Sequence, residues 1–133
     1  MATIVVGFKD NAGGRRALDL AIEEARRRGA KLLVVNSLPG GYDTSPEEIN
    51  ESRKALRGVE ERLPEEGVHF DVQQYVRDNA ASEDILAVAS ENDAELIVVG
   101  YHRRSATGKL LLGSTPLHVM QGAECPVLAI AES

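Results

Sequence analysis

Short apolar runs alternate with longer amphipathic stretches from one end of the chain to the other, and this alternation restricts the fold more than any other feature of the sequence. The runs are Thr3–Phe8, Leu32–Asn36, Val68–Val76, Leu96–Gly100 and Pro126–Ala131. Leu96–Gly100 (LIVVG) is wholly apolar, as a strand covered on both faces should be. Val68–Val76 (VHFDVQQYV) alternates in part and reads as a strand near a sheet edge. Between the runs, Ala17, Leu18, Ala21, Ile22 and Ala25 recur at helical spacing in a helix from about Gly14 to Arg28, which Gly29 ends as a left-handed cap. Ser45-Pro46-Glu47-Glu48 has the form of a capping box with proline at the first helical position. It opens a second helix whose apolar face is Ile49, Leu56, Val59 and Leu63, and which Pro64 and Gly67 stop. Ser82 is expected to cap a third helix through Ile85, Leu86 and Ala89, and Gly113-Ser114-Thr115-Pro116 opens a fourth with Leu117 and Met120. Leu38–Ser45, rich in Pro and Gly, reads as a loop.

The connections are too long for hairpins, so the strands must run mostly parallel with helices on both faces. The expected fold class is α/β: one three-layer domain over residues 1–133, its five-stranded sheet flanked by four helices. A chain of 133 residues suits one such core. Aromatics make up only 4% and Trp is absent, so that core must be aliphatic. The single Cys125 excludes an internal disulfide or a CxxC centre. No apolar run of ~18 residues is present, and the first residues lack a basic segment followed by a long apolar one. The expectation is therefore a cytoplasmic protein that does not associate with membranes. The net charge of −6 argues against nucleic acid, which requires a basic face. The acidity is local, however. Residues 32–99 hold 15 acidic and 5 basic side chains, residues 1–31 hold 7 basic and 4 acidic, and residues 100–133 hold 3 basic and 2 acidic. If the chain ends meet in space, they form a local site for an anion.

In a sheet of this kind ligands bind beyond the carboxyl ends of the strands, so the segments after Phe8, Asn36 and Gly100 carry the interest. The last is the richest. A glycine ends a buried strand, and Gly113-Ser114-Thr115 opens a helix after Leu110–Leu112. The free N–H groups at a helix start, the helix dipole and two hydroxyls make a phosphate cradle in physical terms. Arg103, Arg104 and Lys109 lie in the same segment. The competing reading is that Ser114 or Thr115 merely caps the helix. Other motifs fail. Gly108-Lys109 resembles the end of a P-loop, but Arg103 and Leu110 stand where glycine and Ser/Thr are needed. A dinucleotide fingerprint fails because Lys9 follows Gly7 where glycine is needed, and Gly13-Gly14 come late. His69, His102 and His118 fall in different elements without metal-ligand spacing. Cys125 has no identifiable base and reads as a packing residue.

The spacing Gly-x2-Gly-x9-Gly-Ser/Thr after a buried strand, ending here in LLLGS, resembles that of the universal stress protein family. The likeness spans nearly the whole chain: IVVG at Ile4–Gly7, ALDLAIEEARRRGA at Ala17–Ala30, ILAVASENDAELIVVG at Ile85–Gly100, and LLLGSTPLHVMQGAECPVLAI at Leu110–Ile130. The resemblance implies a Rossmann-like sheet of order 3-2-1-4-5 and a homodimer formed through the last strand, Pro126–Ala131. It also implies a stress-response module that binds ATP or another adenine nucleotide, with no metal beyond magnesium accompanying the nucleotide. Carried over by position, Gly100 and Gly113 match the first and last motif glycines, Ser114 the hydroxyl residue, with Thr115 following in the same turn. Gly7 ends the first strand, Ser37 matches a position whose backbone meets the base, and His102 lies in the motif loop. Two positions depart. Arg103 replaces the second glycine, and Lys9 stands where binders carry an aspartate serving the nucleoside, with Asp10 one residue later. A lysine cannot accept a hydrogen bond from a ribose hydroxyl. Lys9 and Arg103 would make the crevice more basic, suited to a compact polyphosphate or a nucleotide held mainly by its phosphates. Alternatively, Lys9 pairs with Asp10 or another acid and the crevice stays empty, leaving a dimer that acts through protein contacts. A weak hydrolase would need Asp10 as its acid.

Overall fold

A computed structural model describes residues 1–40, 44–102 and 113–132. The strands are β1 Thr3–Gly7, β2 Lys31–Pro39, β3 Phe70–Arg77, β4 Leu96–Tyr101 and β5 Val127–Ala131, and the helices are α1 Ala12–Arg28, α2 Pro46–Arg62, α3 Ala81–Glu91 and α4 Ser114–Gly122. The strands form one sheet in the order β3-β2-β1-β4-β5. All four pairings are parallel, with Val5 of β1 opposite Leu33 of β2 and Ile97 of β4. Successive side chains on an inner strand enter opposite layers. Ile4 and Val6 pack with Ala21, Ile22, Leu56 and Val59 on the α1/α2 side. Val5, Leu33 and Ile97 pack with Ile85, Val88 and Val119 on the α3/α4 side. This two-sided burial is why β1, β2 and β4 lack polar alternation, while the edge strand β3 retains it.

Local chemistry sets the helix starts. The Asn11 side chain accepts the Gly14 N–H at 2.8 Å, so α1 begins at Ala12, two residues earlier than its apolar periodicity suggests. Gly13 and Gly14 lie inside its first turn. A Cβ at Gly14 would collide with the Lys9 carbonyl, and this close approach keeps the position side-chain-free. Ser45 caps α2 by accepting the Glu48 N–H at 3.2 Å, with Pro46 at the first helical position. Leu63 begins a short 3-10 turn that Gly67 closes at positive φ.

Three expectations need correction. Strand β2 does not end at Asn36. It continues through Ser37, Leu38 and Pro39, paired with Tyr75, Val76 and Arg77 of β3, because edge strand β3 runs long enough to hold the extra residues. Ser82 does not cap α3. The cap position is Ala80, which offers no side-chain bond, and Ser82 is buried within the first turn. Leu117 and Met120 do not form the inner face of α4. They are exposed, and Pro116 and Val119 face inward instead.

Candidate functional site

The strand order reverses between β1 and β4, and a crevice of about 210 Å³ opens there at the carboxyl ends of the strands. Its apolar floor is Val35, Ile85 and Val99. One wall is Gly7–Lys9 with the start of α1, and the other is Gly100–His102 with the start of α4 at Gly113–Pro116. A Cβ on Gly7 would point at the floor, 2.7 Å from Ile85 Cδ1, so glycine keeps that end open.

Gly100 has a different reason to be glycine. A Cβ there would fall within the radius of the Gly13 carbonyl group and 3.0 Å from Gly13 Cα. Its missing side chain therefore seats the first turn of α1 on β4. The motif glycine is a packing residue of the crevice wall, whatever occupies the crevice. Gly113, at φ 84°, holds a conformation that other residues adopt with strain.

The start of α4 has no side-chain cap: its N-cap position is Gly113, and neither Ser114 nor Thr115 serves that role. The capping reading of those hydroxyls is therefore not realised, and both residues line the crevice. The start of α1, by contrast, is capped by Asn11. Lys9 lines the crevice and is exposed. It does not pair with Asp10. Asp10 is engaged by Arg15 at 3.2 Å and is not among the residues lining the crevice. His102 lines the mouth with its Nδ1 2.9 Å from Glu132 Oε2. Arg103, Arg104 and Lys109 lie outside the described residues.

Ser37 also lines the crevice, but its hydroxyl donates to Asp84 Oδ2 at 2.6 Å. Asp84 is fully buried in the first turn of α3 and also accepts from Arg77 Nε at 3.0 Å, from Arg77 Nη2 and from Asn79 at 3.2 Å. Burial pushes its carboxyl up, but the bonds from Ser37, Arg77 and Asn79 and the guanidinium charge outweigh this and hold it below the usual carboxylate range. The Arg77 guanidinium lies 4.4 Å over the Tyr75 ring. Sequence reading missed Asp84. The available signal was its helical spacing from Val88, four residues on, which places it on the inward face of α3. Cys125 is half-buried, and burial raises its thiol, as its packing role implies. Among the described residues, no group of three or more His, Cys, Asp or Glu side chains is placed to hold a metal ion. No helix among them is long and apolar enough to cross a membrane.

A family model described as the universal stress protein family matches residues 1–131. A universal stress protein of Mycolicibacterium smegmatis is 38% identical over 127 residues, covering 96% of this chain and 95% of that protein. The solved structure of a universal stress protein from Archaeoglobus fulgidus superposes with a TM-score of 0.83 at 39% identity, covering 98% of each chain. A structure of the universal stress protein from the same organism, in complex with dAMP, gives a TM-score of 0.75 at 34% identity, again over 98% of each.

Proposed function

Since this chain belongs to the universal stress protein family, we propose that it is a cytoplasmic stress-response module that holds an adenine nucleotide of the ATP or AMP type in the β1/β4 crevice without turning it over. The observation that carries this reading is the uncapped start of α4 lining the same crevice as the Lys9 cation. The N–H groups of a helix start, the positive end of its dipole and an ammonium group favour phosphate. The apolar floor of Val35, Ile85 and Val99 suits a base. The dAMP complex of a neighbour that this chain matches over almost its full length supports the same ligand class. Holding without turnover is supported by the position of Asp10, the acid a hydrolase would use, which is paired with Arg15 away from the crevice. One domain spanning residues 1–133 houses the site.

The test is thermal. A ligand that binds only the folded form at about a hundred times its Kd adds ~2.7 kcal/mol, or about 10 °C in Tm at this size. ATP or AMP should produce that rise, while phosphate release stays at background. An unchanged Tm at millimolar nucleotide would refute the binding reading, and release above background would refute its inert character.

The module is proposed to work as a homodimer through β5. This strand lies at a sheet edge, and Leu128 on it is 39% exposed. Leu128→Lys should convert a sedimenting dimer to monomer with little change in the circular dichroism spectrum. A wild-type chain that sediments only as monomer removes the dimer.

A further inference from the structure

We infer that Asn36 is a positioning residue of the crevice: by gripping the Phe8 carbonyl it fixes the turn between β1 and α1, and with it the direction in which Lys9 meets the ligand. The inference takes its ligand from the nucleotide reading above. Asn36 does not line the crevice, although both its neighbours, Val35 and Ser37, do. It points to the other face of β2, where it is 1% exposed on the side of the α1/α2 core. A side-chain amide buried there is costly unless its oxygen and nitrogen are bonded, and both are.

The bonds run one way. Arg53 Nε of α2 donates to Gln74 Oε1 of β3 at 3.3 Å, Gln74 Nε2 donates to Asn36 Oδ1 at 3.1 Å, and Asn36 Nδ2 donates to the Phe8 carbonyl at 2.9 Å. An arginine only donates and a carbonyl only accepts, so the two ends fix which way each amide between them is turned. The effect falls on Lys9. The register of β1 with β2 ends at Gly7 and Val35, and the Phe8 N–H adds one bond to the Val35 carbonyl at 2.8 Å. Asn36 then holds the peptide plane between Phe8 and Lys9, and the Asn11 N–H holds the next plane through the Lys9 carbonyl at 2.9 Å. With the two planar units on either side of its Cα both held, the Lys9 side chain leaves the backbone in one direction, along the crevice wall.

The experiment measures ATP affinity by calorimetric titration, and amide hydrogen exchange in the ligand-free full chain, well below the melting temperature of each protein. The proteins are wild type, Asn36→Val, Gln74→Glu and Gln73→Glu. Asn36→Val removes the grip with a residue that suits a buried strand. Gln74→Glu leaves the crevice untouched but removes the donor to Asn36 Oδ1, so the Asn36 amide loses its fixed orientation. Gln73→Glu adds the same charge on the opposite face of β3. ATP affinity should fall about tenfold in Asn36→Val, fall severalfold in Gln74→Glu, and stay within about twofold of wild type in Gln73→Glu. The Asn11 amide, bonded to the Lys9 carbonyl, should exchange about tenfold faster in Asn36→Val.

A purely structural role would lower the melting temperature and leave affinity unchanged where the chain is fully folded. ATP binding by Asn36→Val within about twofold of wild type therefore overturns the inference while leaving nucleotide binding intact. If Asn36→Val does not fold, the other two variants decide: weaker binding by Gln74→Glu than by Gln73→Glu upholds the inference, and equal binding overturns it. If the wild type binds no ATP, the nucleotide reading fails and the Asn11 amide decides alone. Faster exchange in Asn36→Val then upholds the grip on the turn, and an unchanged rate overturns it.

Discussion

Gly100→Ala should lower the melting temperature by about 10 °C or more, with no ligand present. Overpacking typically costs about 1–3 kcal/mol, and a kilocalorie corresponds to roughly 3–5 °C in a chain of this size. The upper end applies because the added methyl meets the backbone of Gly13, inside the first turn of a helix, and not a side chain that can rotate away. Relief requires α1 to lift from β4, which also disturbs the core around Ala17 and Ala21. Gly58→Ala is the matched control. Nothing lies within 4 Å of its added Cβ in the middle of α2, and the change should stabilise by about 0.5–1 kcal/mol through helix propensity. If Gly100→Ala melts with the wild type and loses only nucleotide, this glycine serves the ligand and its packing role is wrong.

The second large effect is a reversal in pH dependence at the Arg77–Asp84 pair. In the native protein Asp84 is held below the usual carboxylate range, so its contribution is present above its unfolded value of about 3.9 and is lost as pH falls through the lower folded value. Arg77→Ala leaves Ser37 and Asn79 as partners for a carboxylate with no exposed surface. Desolvation then dominates and raises the folded value. The folded variant keeps its proton where the unfolded chain releases it, so the variant should lose stability as pH rises from about 4 towards 7. Asp84→Asn at neutral pH should cost less than Arg77→Ala, because the half-exposed guanidinium can turn to water whereas the carboxylate cannot. Melting curves of the three proteins between pH 3 and 8 decide it. Parallel profiles for wild type and Arg77→Ala would show that the guanidinium does not hold the carboxylate.

What could be read from the residues divides along a physical line. The five strands, their parallel arrangement and the Gly29 and Ser45 caps follow from local periodicity and turn chemistry, and the structure reproduces them. Features that depend on a distant partner escaped. Strand β2 continues past Asn36 because β3 supplies a ladder for Ser37 to Pro39, and no local signal in LPGG announces that. Ser37 was legible as a crevice residue, but the acid that takes its hydroxyl is Asp84, on another element far along the chain. Gly100 was legible as a motif glycine, but its packing against Gly13 across the sheet–helix interface was not. Lys9 was legible as a departure, and the geometry narrows its options by giving Asp10 to Arg15.

The sheet order has a consequence for how the chain is made. β1 precedes the other four strands along this chain and is the central strand of the finished sheet. It can pair with β2 early, but its other edge waits until Ile4, Val5 and Val6 meet Leu96, Ile97 and Val98. During that interval an apolar strand offers an unpaired edge to any neighbouring nascent chain. Closing a loop of that length before the pairing is rewarded makes docking of β4 the slow step. Growth conditions that slow elongation between residues 40 and 95 would therefore lengthen the exposure of β1 and lower the yield of folded protein.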